Sequence, residues 1–455
     1  MNEQRTNGIG APWQAPPLAP FQADDTLPER VDVVVIGGGI AGVSTALFLA
    51  QDGVSVALCE KGRIAAEQSS RNWGWVRKMG RDPREVPLMI ESMGLWRQMD
   101  QMVDGETGFR QSGIVYLCRT EADMARREAW LAHVRPFQLD SRIIRGEELD
   151  RLLPGSAMTW EGALYTESDG RAEPQLAAPA IAAGARKLGA TVLTECAVRG
   201  VETEGGRISG VVTEKGRIAC SSVVLAGGAW SGLFCRSLGL RLPQLKVLSS
   251  VMRLQPFDGG PEPAAIGPGF AFRKRQDGGY TIANGTTTVA EIVPDSFRYL
   301  MDFLPVLRME WKDLRLRFGK RFFTEARLGR RWALDDVSPF ERIRVLDPEP
   351  VSGVLDAAAG NLPKAYPVFQ NKPYANRWAG LIDATPDAVP VISDVDKLPG
   401  LYIGTGFSGH GFGIGPGAGR LLADLVTGKT PIVDPTPFRY GRFTDGSRPQ
   451  PMAGI

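Results

Sequence analysis

The chain of 455 residues is too long for one small core and implies two or three lobes. A net charge of +2, with no basic run interleaved with aromatics, excludes an electrostatic case for nucleic acid; 43% hydrophobic and 23% charged residues is ordinary for a soluble globular protein. Five scattered cysteines without a C-x-x-C and only two histidines argue against a disulfide framework, a zinc site or a histidine-rich metal centre, and point to a reducing, cytoplasmic setting.

Residues 1–29 hold five prolines and no apolar core of the kind a secretion signal needs, so they read as an N-terminal arm, laid on the surface or flexible. The run 31–36 is apolar and β-branched except for Asp32 and predicts a strand buried in a parallel sheet. Gly37-Gly38-Gly39-Ile40-Ala41-Gly42 follows with a complete G-x-G-x-x-G: Gly37 for the tight turn, Gly39 for close approach of a pyrophosphate, Gly42 for packing of the next helix. A helix over 40–51 points its unpaired N–H groups and positive dipole end at that pyrophosphate. A second strand, 54–59, ends in Glu60, 18 residues past Gly42, where a carboxylate accepts both ribose hydroxyls and repels a 2′-phosphate. The ligand is an NAD or FAD type dinucleotide. The same residues 31–50 are long and apolar enough to weigh as a membrane span, but four glycines, the turn and Asp32 argue against one, and no other stretch qualifies.

Next, 67–77 (EQSSRNWGWVR) offers hydroxyls, an amide and a glycine for phosphate and flavin edges, with two tryptophans and an arginine as pocket wall; a surface turn with buried tryptophans is the plain alternative. An amphipathic helix is predicted over 84–104, strands over 114–118 and 162–165, helices over 121–134 and 145–153, then a return to α/β from 173 with a strand at 223–226 ending in Gly227-Gly228-Ala229-Trp230. Residues 245–300 read as antiparallel strands. The segment 296–331 reads as helical, with ten Lys or Arg against four Asp or Glu; this suits a membrane surface or an electron-carrier partner, but a solvated outer face is the preferred reading. Finally, 404–419 has eight glycines in sixteen positions between a strand at 401–403 and a helix beginning near Gly417, a loop able to lay backbone N–H groups on a flat ligand edge and favour negative charge on a reduced flavin.

Taken together, these blocks resemble the FAD-dependent oxidoreductases of the D-amino acid oxidase superfamily, in its glycine oxidase and sarcosine oxidase branch. The resemblance covers about 31–440 and rests on Gly37 to Gly42 with Glu60, Ser69-Ser70-Arg71-Asn72, Val223 to Trp230, Trp378 to Pro390 and the Gly406 to Gly419 loop, in the family's order. It implies a discontinuous α/β FAD-binding Rossmann-like domain of the glutathione-reductase type (30–110, 155–240, 365–440), an α+β substrate domain with a large antiparallel sheet (111–154, 241–364) and a C-terminal tail (441–455). It implies FAD held by Gly37, Gly39, Ile40, Ala41, Gly42, Glu60, Lys61, Ser69, Ser70, Asn72 and Gly74, with Val198 near adenine, Ala226, Gly227 and Trp230 beyond, and the flavin between Trp75 and Gly406, Gly409, His410, Gly411, Phe412, Gly413 and Ile414.

The departures from the family also carry information. Gly380 falls where some relatives carry the flavin-tethering cysteine, so FAD is expected to be non-covalent. Gly413 replaces a lysine after S-G-H-G-F, and Thr281 stands near the lysine associated with oxygen activation, which puts oxidase activity in question. Arg77 matches the arginine that grips a substrate carboxylate, a role its planar fork suits, although a structural ion pair suits it equally. The resulting expectation is oxidation of the C–N bond of an amino acid, N-substituted amino acid or amine to an imine, with Arg77 on the carboxylate, Trp75 and Tyr280 as walls, and Asp383 or His410 tuning flavin or amine. The acceptor is oxygen or a quinone or other electron carrier. The alternatives are a dehydrogenase subunit serving a quinone or protein partner, and a flavin-binding protein with little turnover.

Overall fold

The computed structural model describes residues 13–285, 287–311, 314–329, 331–447 and 450–452. Val33–Ile36 is buried because it lies inside a six-stranded sheet, in the order Val391–Asp394, Leu401–Thr405, Ser222–Leu225, Val33–Ile36, Val56–Cys59, Thr191–Leu193. All neighbours are parallel except the edge strand Val391–Asp394. Helix Ile40–Gln51 is buried along all but its last residue, which its apolar sequence demands. It packs against Gly411–Thr427 and Pro174–Lys187. That closeness depends on glycine: a Cβ on Gly42 would collide with the Gly37 carbonyl, and one on Gly419 with Ser44.

The second large sheet has ten strands, with Leu245–Leu254 at its centre paired to Tyr280–Ala283, Thr288–Ile292 and the long strand Tyr374–Ala384. It is mostly antiparallel; two pairings, Ala264–Gly267 with Ile114–Cys118 and Thr288–Ile292 with Leu314–Phe318, are parallel. Helix Ser352–Ala365 covers one face through a core that includes Phe270, Phe272, Tyr280 and Tyr366. Gly162–Thr166 and Tyr374–Ala384 belong to this sheet. Boundaries drawn at 155 and 365 therefore cut it: the chain passes between the two bodies inside strand-rich segments, not in linkers.

Two further expectations are corrected. The segment 296–331 is not one helix but helices Pro294–Arg298, Leu300–Glu310 and Lys320–Arg327 with the edge strand Leu314–Phe318 between them. Nor is it a purely charged outer face: Phe297, Leu300, Met301, Met309, Trp311, Leu316, Phe318 and Phe323 are eight of the twelve large hydrophobic residues exposed among those described. Arg321 bonds Glu291 and Glu325, and Arg317 bonds Glu291, so part of the counted charge is internally neutralised. In the glycine-rich loop the helix begins at Gly411, six positions before the expected start. The N-terminal arm, described from Trp13, is pinned at Gln14, Ala19 and Asp24 by backbone bonds to Arg377, Gln175 and Val192. No described helix is long and apolar enough to cross a membrane.

Candidate active site and its dinucleotide cleft

A cleft of about 800 Å³ opens at the carboxyl ends of Val33–Ile36, Val56–Cys59 and Ser222–Leu225, where open α/β sheets bind ligands. Its floor is the glycine turn. Gly37 has φ +112°, and a Cβ there would lie 2.5 Å from the Ala226 carbonyl oxygen, so only glycine fits. Ser69 Oγ accepts from the Ile40 N–H at 2.8 Å, which leaves its own proton for an anion at the start of helix Ile40–Gln51. Glu60 accepts from the amides of Gly38 and Gly62, each at 2.7 Å. These bonds aim the carboxylate and lower its pKa, but desolvation in the cleft is the larger effect and raises it above the usual glutamate value. Each oxygen keeps lone pairs for a ribose hydroxyl. Val198, Ala226, Gly227 and Trp230 line the same cleft, joined by Phe234 and Phe340.

Other expected contacts lie at the cleft but are committed elsewhere. The Lys61 ammonium gives its three protons to Glu67, the Ile343 carbonyl and the Arg344 carbonyl, and lies 4.7 Å from the Trp230 ring centre. Ser70 is buried and bonds the Glu67 carbonyl. Asn72 spends its amide on Gln68, Ser69 and the Gly74 N–H, shaping the turn that carries Trp73 to Arg77.

At the other end, the loop after Leu401–Thr405 is held by Asp383. Its Oδ2 accepts from Gly406 N at 2.7 Å and Thr405 Oγ1 at 3.0 Å, and its carbonyl accepts from Ser408 N at 2.9 Å. Gly406, Ser408 and Gly409 all have positive φ, and Ser408 bears the side-chain cost because its Oγ is bonded to Thr385. Burial pushes the Asp383 carboxyl up while these donors oppose it. Asp383, expected to tune the flavin or amine, thus meets the loop expected to line the flavin. Phe412 and Ile414 face the core, so only their backbone can meet a ligand, and the Gly413 carbonyl is held by Ser92 Oγ at 2.7 Å and Trp96 Nε1 at 2.8 Å.

Trp75 is buried against Trp73, edge to face at 5.3 Å, and against Tyr116, while its Nε1 has no partner among the described residues. Its carbonyl lies beside Gly413, which brings strand Trp75–Val76 and the glycine loop together. Arg77 donates to the Met79 carbonyl, lies 5.9 Å from the Tyr116 ring centre and has no carboxylate within ion-pair distance among the described residues, so the structural ion pair weighed from sequence is not formed. Asp169 steadies this segment by accepting from Lys78 N at 2.7 Å and Met79 N at 3.2 Å; burial pushes its carboxyl up to about 6. Tyr280 is a correction. Strand alternation turns it away from its neighbour Thr281 and into the core under helix Ser352–Ala365, where its hydroxyl bonds the Pro261 carbonyl at 2.8 Å.

Three groups had no sequence signal because their partners are far away in the chain. Arg81 and Glu85 meet His410 from 329 and 325 residues' distance, with His410 Nδ1 at 2.9 Å from Glu85 Oε2. Arg273, paired in register with Thr281, is clamped by Glu173 at 2.6 Å and donates to the Trp73 carbonyl at 2.6 Å. A Cβ on Gly74 would lie 2.7 Å from Arg273 Nε, so this clamp and the glycine shape one another.

Comparison with known proteins agrees with this geometry. A family model described as "FAD dependent oxidoreductase" matches residues 32–425. Glycine oxidase of Pseudomonas aeruginosa is 27% identical over 89% of this chain and 97% of its own length, and sarcosine oxidase subunit beta of an Arthrobacter species is 25% identical over 91% of each. Among solved structures, L-amino acid deaminase from Proteus myxofaciens, in complex with anthranilate, superimposes with a TM-score of 0.90 at 38% identity, covering 94% of this chain and 97% of that one.

Proposed function

The chain belongs to the FAD-dependent oxidoreductase family, and from that premise we propose that it oxidises the C–N bond of an α-amino acid to an imine, which water then hydrolyses. The observation that carries the amino-acid reading is Arg77: a half-buried guanidinium beside Trp75 and Tyr116 with no carboxylate partner among the described residues, placed to receive one from a substrate. The name of the deaminase from Proteus myxofaciens supports the same reading. Bound FAD supplies the acceptor for the α-hydrogen and its electron pair. Arg77 orients the carboxylate, and Trp73, Trp75 and Tyr116 keep water from the reacting carbon. FAD is bound non-covalently in this reading, because Gly380 offers no thiol to tether a flavin.

Thr281 and Arg273 favour an acceptor other than oxygen. Arg273, which donates to Thr281 Oγ1, is paired with Glu173, so its charge is not free to stabilise a developing superoxide. An anaerobic screen of amino acids and amines, following loss of flavin absorbance, tests the reaction: bleaching by amino acids and not by their decarboxylated amines is expected, and no bleaching by any of them overturns the proposal. Oxygen consumption by the same preparation, expected to be slow beside reduction of a soluble quinone, tests the acceptor.

A further inference from the structure

We propose that Glu85 is a positioning residue for this reaction: it holds His410 as the Nδ1–H tautomer, so that the Nε2 lone pair takes a proton from the substrate ammonium. The proposal rests on the amino-acid reading above and adds to it the group that makes the amine reactive.

Glu85 is fully buried at the start of helix Val86–Val103, and its Oε2 lies 2.9 Å from His410 Nδ1. His410 is 7% exposed and caps helix Gly411–Thr427, and its ring makes no other hydrogen bond among the described residues. Behind the pair, Arg81 is 1% exposed, stands 3.7 Å from Glu85 Oε2, and donates to the carbonyls of Arg77 at 2.9 Å and His410 at 3.2 Å. Arg81 Nη1 and Glu85 Oε1 are both buried without a hydrogen-bond partner. The cluster ties the substrate-binding arginine's backbone to the backbone and ring of His410.

Charge decides its resting state. The charged groups facing the imidazole are Arg77, Arg81 and Glu85 from the 77–85 segment; Asp383, on the neighbouring strand, is committed to the 405–408 loop. Arg81 and Glu85 form a neutral pair, so a proton on His410 would leave a net positive charge in a desolvated place beside Arg77. Burial and the two arginines hold the imidazole below its ordinary pKa, and only Glu85 opposes them. A neutral imidazole facing an ionised carboxylate through Nδ1 must carry its proton there, as in other acid–histidine pairs, and Nε2 is then the acceptor. The step balances as follows. One ammonium N–H proton moves to Nε2, and Glu85 stabilises the imidazolium. The amine lone pair forms the C=N bond as the α-hydrogen leaves with its bonding pair to the bound FAD. The product is an iminium, and Nε2 later returns its proton to water.

The chain has two histidines, His133 exposed and His410 buried, so ring-nitrogen NMR of histidine-labelled holoprotein resolves both without a variant. At pH 8, His410 is expected neutral with its proton on Nδ1; an Nε2–H ring or an imidazolium overturns the proposal. The second measurement is Glu85→Gln, whose amide no longer imposes a tautomer. Its kcat/KM for an amino acid is expected to fall about 100-fold at pH 7 and to approach wild type above the pKa of the substrate ammonium, with FAD affinity within about twofold. An equal loss at every pH assigns Glu85 to the fold alone and overturns the proposal. If the variant does not fold, the wild-type tautomer still decides. Failure of every amino acid to bleach the flavin overturns the proposed reaction, whereas bleaching with the wrong tautomer overturns only the role of Glu85.

Discussion

The two ends of the site are built by opposite means. The dinucleotide end is made of backbone: Gly37 to Gly42 turn within one strand-turn-helix unit, and the side chains that matter, Glu60 and Ser69, are aimed by main-chain amides. The proposed substrate end is made of side chains from segments 100 to 329 residues apart, among them Arg81 and Glu85 against His410 and Arg273 against Glu173. The first should be intolerant of an added Cβ and forgiving of much else. The second should be intolerant of lost charge.

That contrast can be broken by measurement. The largest effect is expected at the substrate end. Arg77→Ala should weaken binding of an amino acid by about 2–5 kcal/mol, with Arg77→Lys in between and a decarboxylated amine almost unaffected; equal losses for both ligands, read by flavin bleaching titrations, would assign Arg77 to the fold. At the other end, Gly42→Ala should cost about 3 kcal/mol of stability, since its methyl meets backbone that cannot yield, and the loss should appear in the melting temperature before any substrate is added. Glu60→Ala comes next, weakening FAD retention by about 1.5–3 kcal/mol because the ribose acceptor goes and two buried amides lose theirs. Ultrafiltration of the holoprotein measures it, and unchanged retention would mean that the carboxylate serves the turn only.

Acid separates the ends further. His410, held below its ordinary pKa, contributes stability that is complete above about pH 6.5 and is lost as the pH falls. Asp169, raised to about 6, does the reverse: its contribution is complete below its unfolded pKa of about 3.9 and is lost as the pH rises through about 6. The two oppose each other between about pH 4 and 6, so Asp169→Asn should make the acid-side fall in melting temperature steeper, by about 1–2 kcal/mol across that window. A parallel curve would show that Asp169 does not titrate there. The smallest effect is a control of opposite sign. Gly94, on helix Val86–Val103, has open space where a Cβ would go, and Gly94→Ala should stabilise by about 1 kcal/mol. If Gly94→Ala and Gly42→Ala shift the melting temperature alike, steric contact is not what distinguishes them.

The sequence by itself determined the local units: the buried strand, glycine turn and helix with Glu60 as acceptor, and elements such as Ile114–Cys118, Glu121–Val134 and Phe270–Lys274, whose hydrophobic period or flanking turns are written within a dozen residues. It also carried enough ordered blocks to identify the family. Only the tertiary structure decided that Tyr280 faces the core, that Asp383 belongs to the loop and that the 296–331 segment folds as helices around an edge strand. It alone showed that Glu85 meets His410. A period or a glycine turn is a property of neighbours in the chain, legible wherever they are read. A hydrogen bond between residues 325 positions apart exists only once the tertiary fold has fixed where each side chain ends, and no pattern near either residue records the other.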